Sequence, residues 1–143
     1  MVGTSSLVRL LIDHAKKLDI ESGGGQLLGM LNLYGDTTLH IAVRYGKSEI
    51  VKVLIKEDPE LAMCVNYAGE FALFLAVDKQ RYDMASRILS AAPNCSYAGR
   101  HGMNVLHALV IHTSPCKCCP ILHLKYFRIL IMSIFCTSYP PPQ

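Results

Sequence analysis

Three stretches of this chain begin alike, and that likeness constrains the fold more than any bulk property does. In register they read NLYGDTTLHIAV from Asn32, NYAGEFALFLAV from Asn66 and RHGMNVLHALV from Arg100. The marker glycines Gly35, Gly69 and Gly102 are spaced 34 and 33 residues apart, and each precedes a leucine by four residues (Leu39, Leu73, Leu106). The next position holds His40, Phe74 or His107. A period of this length means one small structural unit copied along the chain.

Each unit reads as helix, turn, helix. In the first, Leu39, Ala42 and Val43 share one stripe of a short helix that Gly46 can end. A second helix begins near Ser48, the expected N-cap, with Glu49 suited to its first turn. Its broad apolar face is Ile50, Val51, Val53, Leu54 and Ile55; Lys56 sits near its end and Pro59 stops it. The second unit repeats the pattern with Leu73, Ala76 and Val77, then Met84, Ala85, Ile88 and Leu89, up to Pro93. Small Ala42 and Ala76 let short helices approach closely, and neighbouring units must cover faces that no single pair can bury. The fold class expected is all-α, a solenoid of stacked helix-turn-helix units.

These motifs resemble ankyrin repeats. Gly35-Asp36-Thr37-Thr38-Leu39-His40-Ile41-Ala42 follows the pattern Gly-x-Thr-Pro-Leu-His-x-Ala, with Thr38 in the proline place. The resemblance implies that Thr37 and His40 exchange hydrogen bonds fixing the turn to the first helix, and that Gly35, Gly69, Gly102 and His107 share this structural role. Unit two departs, with Phe71 and Phe74 in the Thr and His places, so packing is expected to hold its turn. Unit three keeps His107 but has Asn104 in the Thr place and Leu109 in the small-residue place. A narrower likeness lies in LLIDHAKKLDIESGGG, KEDPEL and APNCSYAGRHGMNVLHA, which look like plant ankyrin proteins of the accelerated-cell-death group. That likeness implies a role in defence or stress signalling, and a C-terminal multi-span membrane domain that this sequence does not contain.

The expected organisation is a partial N-terminal repeat helix with a Gly-rich insert (6–31), repeats at 32–65 and 66–99, a partial degenerate repeat at 100–113, and an irregular apolar segment with a Pro-rich tail at 114–143. Ser6 to Leu18 reads as an amphipathic helix with Leu7, Leu10, Leu11 and Ala15 on one side. It resembles the second helix of a preceding unit, since LVRLLI matches IVKVLI, and the absence of its partner first helix would leave an apolar flank exposed. Ser22 to Gly25 supplies a flexible excursion, and Gln26 to Leu31 a short helical turn. Beyond His112, Pro115 and Pro120 interrupt the unit before an apolar helix at 121–135. The most apolar window, Ile121 to Cys136, is shorter than the roughly 20 residues a spanning helix needs and contains His123, Lys125 and Arg128. Peripheral membrane contact through 121–136 is the expectation it supports.

Composition excludes more than it identifies. A length of 143 residues, 51% of them hydrophobic, suits one folded unit, and a net charge of +3 gives no pull towards nucleic acid. The opening Met1 to Ser6 lacks the charge pattern of a secretory leader, so six cysteines point to reduced thiols in an intracellular chain, in the cytoplasm or at the cytoplasmic face of a membrane. The plasma membrane is the location the plant likeness implies. Cys116, Cys118 and Cys119 are spaced too tightly for a structural zinc site, and no second pair completes one. They also do not follow a strand at the start of a helix, as a redox pair would. Gly23 to Gly25 lack the Lys-Ser/Thr of a phosphate loop, and no nucleophile–base pair falls outside the repeat turns. The chain is expected to be no enzyme and to need no cofactor or metal. Function then rests on surface: a protein partner is expected on the face carrying Tyr34, Asp36, Arg44, Tyr45, Tyr67, Glu70, Lys79, His101 and Met103, the outward positions of the turns and first helices.

Overall fold

The computed structural model describes residues 4–22 and 27–112. Six α-helices follow in order: α1 (Thr4–Ser22), α2 (Thr38–Arg44), α3 (Ser48–Glu57), α4 (Ala72–Asp78), α5 (Tyr82–Ala91) and α6 (Val105–His112). Short 3-10 turns occupy Leu27–Gly29, Pro59–Met63 and Arg100–Gly102. The described residues are all-α; pairing between extended residues is limited to the isolated bridges Val65–Phe71 and Ala98–Asn104. The insert at 23–26 and everything from 113 on, including the cysteine cluster and the apolar 121–136 stretch, lie outside the described residues.

The helices form two layers. First helices stack on one another, α2 on α4 and α4 on α6, while second helices stack as α1, α3 and α5. Between the layers lies the core, with Leu39, Val43, Leu73, Val77 and Ile88 fully buried. Each such side chain contributes about 1.5–3 kcal/mol relative to exposure. Ala42 and Ala76 are buried, and so is Leu109 at the corresponding place in α6.

The α2–α3 turn is a Schellman motif: Lys47 N–H donates to Ala42 O at 2.9 Å and Gly46 N–H to Val43 O at 3.1 Å. The α4–α5 turn repeats it, Arg81 N–H to Ala76 O at 2.8 Å and Gln80 N–H to Val77 O at 2.9 Å. The left-handed residue is Gly46 (φ +70°) in one turn and Gln80 (φ +57°) in the other. Only glycine takes that conformation without a Cβ penalty.

Three expectations change. Ser48 is the first helical residue of α3 and not its cap; Lys47 holds the cap position, and the Ser48 hydroxyl donates to Asp83 in α5 at 3.0 Å. Helix α1 runs longer than 6–18, and its inward stripe is the buried Ile12 with the half-buried Val8 and Ala15, whereas Leu7, Leu10 and Leu11 are exposed. The reason is that α1 packs on α3 and the Leu27–Gly29 turn, so only that flank is covered. Lys16 reinforces the contact by donating to the Glu57 carboxylate (2.8 Å) and carbonyl (3.2 Å) at the end of α3. The hydrogen bond and charge of Lys16 hold the half-buried Glu57 carboxyl below its ordinary range. Thr38, in the proline place, uses its hydroxyl to donate to Leu28 O at 2.9 Å.

Gln80→Gly relieves the left-handed strain and is expected to raise stability by about 0.5–1 kcal/mol, whereas Gly46→Ala lowers it by a similar amount or more. Urea denaturation of both variants checks the opposite signs.

Candidate protein-binding face

The first two turns are each built by an asparagine side chain that folds the backbone over itself. Asn32 Oδ1 accepts from Tyr34 N–H and Asp36 N–H, both at 2.9 Å, and Asn66 Oδ1 accepts from Ala68 N–H (3.1 Å) and Glu70 N–H (2.9 Å). Gly35, Gly69 and Gly102 then take positive φ at the reversal. Adjacent turns dock through Tyr67 N–H to Tyr34 O at 3.1 Å, and the Tyr67 ring lies over Gly35, where an added Cβ would come within 2.6 Å of it.

The turn is locked to its helix in three ways. In unit one, Thr37 caps α2: its N–H donates to His40 Nδ1 (3.3 Å), and its hydroxyl accepts weakly from His40 N–H (3.5 Å) and lies 2.9 Å from Nδ1. Because Nδ1 accepts from the backbone, the imidazole proton sits on Nε2, which donates to Glu70 O in the next turn at 3.0 Å. In unit two Phe71 makes no side-chain cap, and Phe74 is fully buried against Gly99, where any Cβ would overlap the ring. Unit three restores the reciprocal bonds with Asn104: its Oδ1 accepts from His107 N–H and its N–H donates to His107 Nδ1, both at 3.1 Å. Asparagine caps as well as threonine does.

A charged ladder joins the units. Asp36 and Glu70, expected to face outward, are each 3% exposed. Their burial has a cause: Asn66 Nδ2 donates to both, at 2.9 Å to Asp36 and 3.1 Å to Glu70. Arg44 pairs with Asp36 (3.0 Å), and Arg100 pairs with Glu70 (2.7 Å) and Asp78 (3.2 Å). The guanidinium of Arg100 also lies 5.8 Å from the Phe74 ring centre. Hydrogen bonding to Glu70 and the neighbouring carboxylates push the Arg100 pKa further up, so it stays charged.

Above this ladder is a groove of about 860 Å³ that gathers Tyr34, Asp36, Arg44, Tyr45, Tyr67 and Glu70 of the expected face. The three tyrosines are 73%, 69% and 74% exposed. Lys79, His101 and Met103 are not among its lining residues. Lys79 is exposed beside Asp78 (3.8 Å), His101 is exposed in a left-handed conformation, and Met103, expected outward, packs partly buried on the core. The groove also includes Arg100 and Asn66, which the sequence reading did not assign to it. The available signal was a separation of 30 residues, shared by Asp36–Asn66, His40–Glu70 and Glu70–Arg100.

Nothing among the described residues gathers three or more histidine, cysteine or acidic side chains around a metal position. Burial pushes the Cys95 thiol up to about 11, and burial also raises Cys64, so neither supplies a thiolate nucleophile near neutral pH.

A family model described as ankyrin repeats, in three copies, matches residues 1–98. An ankyrin repeat protein of Acanthamoeba polyphaga mimivirus is 22% identical over 116 residues, which cover 78% of this chain and 14% of the viral protein. The chain thus spans a small part of that relative's length.

Two outcomes follow from the buried polar groups. Burial holds the His40 imidazole below its ordinary value of 6.5. The unfolded chain therefore binds a proton that the folded one refuses, and this stability term is complete above that value and declines as pH falls through the folded pKa. Its slope is limited to about 1.4 kcal/mol per pH unit. Urea unfolding between acid and neutral pH should show this decline in wild type and a shallower one in His40→Asn. Asn66→Asp replaces the shared donor with a third carboxylate and is expected to cost about 3 kcal/mol or more, read in the same assay.

Proposed function

The chain belongs to the ankyrin-repeat family, a non-catalytic scaffold that mediates protein–protein contacts, and we propose that its tyrosine-lined groove is where a protein partner binds. The observation that carries this reading is the placing of Tyr34, Tyr45 and Tyr67, all exposed, around one groove whose polar floor is already paired. Tyrosine offers a partner large apolar area at low conformational cost, with a hydroxyl for orientation. The floor needs no rearrangement on binding, because Arg44 and Arg100 are held by buried carboxylates. Lys79, His101 and Met103 stand outside this reading of the face.

The narrower proposal is a role in plant defence or stress signalling, inside the cell or at the cytoplasmic side of the plasma membrane. It is supported by the likeness of residues 10–25, 56–61 and 92–108 to plant ankyrin proteins. Among the described residues no helix is long and apolar enough to cross a membrane. Peripheral contact through 121–136 has the apolar composition of that stretch as its support, and carbonate extraction of the expressed protein tests stable association.

Affinity capture from plant-cell extract with wild type and with Tyr34→Ala plus Tyr67→Ala tests the groove. The double variant should keep its thermal melt and lose partners by at least about ten-fold, the scale of one interface hot spot. An unchanged set of partners would remove this face from consideration.

A further inference from the structure

The tyrosine-lined groove separates its polar groups by sign, and only one sign is left for a ligand. The Asp36 and Glu70 side chains are each 4% exposed, and their oxygens are already occupied. Asp36 accepts from Asn66 and Arg44, while Glu70 takes Arg100 on Oε1 and Asn66 on Oε2. The floor therefore offers no carboxylate to an incoming molecule. Its donors are in a different position. Arg44 is 37% exposed, and among the described residues its side chain bonds through Nη2 alone, to the two Asp36 oxygens at 3.2 and 3.0 Å. A guanidinium carries five N–H donors in one planar fork, so those on Nε and Nη1 remain unspent. Arg100 is more fully used, with Nη1 on Glu70 (2.7 Å), Nη2 on Asp78 (3.2 Å) and its face towards the Phe74 ring. The hydroxyls of Tyr34, Tyr45 and Tyr67, which line the same groove, likewise make no hydrogen bond among the described residues.

We propose that the groove reads an acidic segment of its protein partner: an Asp or Glu carboxylate seats on Arg44, and apolar neighbours of that acid pack on the tyrosine rings. This rests on the groove being the partner-binding face, and it names the chemistry of the partner. A carboxylate matches the arginine fork with two near-parallel, charge-assisted hydrogen bonds. The fork is set in place before binding, since Asp36 holds Nη2 and Glu70 Oε2 lies 4.0 Å from the same nitrogen. Little side-chain freedom is then lost when the ligand arrives. A lysine-rich segment would bring further donors to a floor whose carboxylates are buried and filled. An uncharged segment, a proline-rich one included, could stack on the tyrosines but would cover Arg44 and leave its donors without water or partner, which weakens binding.

The test pans the complete 143-residue protein against a random-peptide phage library and measures the selected peptides by fluorescence anisotropy. Selected sequences should be enriched in Asp or Glu beside apolar residues, and should bind with Kd below about 1 mM. Changing the acid to its amide in the peptide, which leaves the protein untouched, should weaken binding at least about ten-fold, the scale of a hydrogen bond to a charged group. Arg44→Lys keeps a cation for Asp36 but not the fork. It should weaken the acidic peptide to a similar extent and the amide peptide hardly at all, a coupling that a merely structural role of Arg44 would not produce. Peptides that depend on Tyr34 and Tyr67 but are rich in proline or lysine, with no enrichment in acids, overturn the acidic partner and leave the groove standing. Acidic peptides that bind Arg44→Lys and the double variant Tyr34→Ala plus Tyr67→Ala as tightly as wild type sit elsewhere, which sinks the proposal too. A library without any saturable, tyrosine-dependent binder counts against both the groove and its ligand. Light scattering that shows a wild-type dimer split by the tyrosine double variant would make a second copy the occupant, and overturns it as well.

Discussion

One carboxamide carries the connection on which the stack depends. Asn66 accepts two backbone N–H groups with its oxygen, which shapes the second turn, and donates with its nitrogen to Asp36 in the first turn and Glu70 in its own. Two buried carboxylates close to one another would ordinarily repel. Here each has its own arginine as well as a share of the amide, and these contacts offset the repulsion in a place with little solvent. The register between units one and two, the floor of the groove and the orientation of Arg100 all pass through this point.

The three units solve one mechanical problem with different chemistry. A short first helix must be fixed to the turn before it and to the turn after it. His40 does both, one ring nitrogen facing Thr37 and the other facing Glu70. Phe74 has no polar groups, so it reaches the next turn by filling the space that Gly99 leaves open, and Arg100 covers its ring. The aromatic and the glycine are therefore a matched pair across the unit boundary, and either alone would leave a void or a clash. In the third unit Asn104 and His107 return to hydrogen bonding.

The helical order, the turn positions and the Thr37–His40 lock were legible because they depend on residues within one period. The solenoid of two helical layers follows from the same period and from the small residues at Ala42 and Ala76. What was not legible depends on residues a turn apart in space and 30 apart in sequence. Asp36 and Glu70 look like solvated acids until Asn66 and Arg100 are brought beside them. Arg100 was hidden by a one-residue shortening between α5 and the third turn, which set it against Asn66 in a simple alignment; in the structure Gly99 holds that place, its N–H donating to Met103 O as Asn66 N–H does to Glu70 O. The stripe of α1 was misread by one position because an isolated amphipathic pattern does not say which neighbour is present. Ser48 was misassigned because a hydroxyl at a helix start can serve its own backbone or another helix, and Asp83 decided the matter.

Arg44 and Asp78 occupy equivalent places in successive units but carry opposite charge. Arg44 satisfies an acid in its own unit, whereas Asp78 waits for Arg100 from the following one. The array consequently has a polarity of pairing, and its units are not interchangeable bricks. A second copy of unit two inserted after itself would set tyrosine, not arginine, opposite Glu70 and Asp78 and take from both acids their shared arginine. Order along the chain is thus written into the charges, and shuffling, duplicating or excising a unit would meet an electrostatic barrier even where the helices still fit.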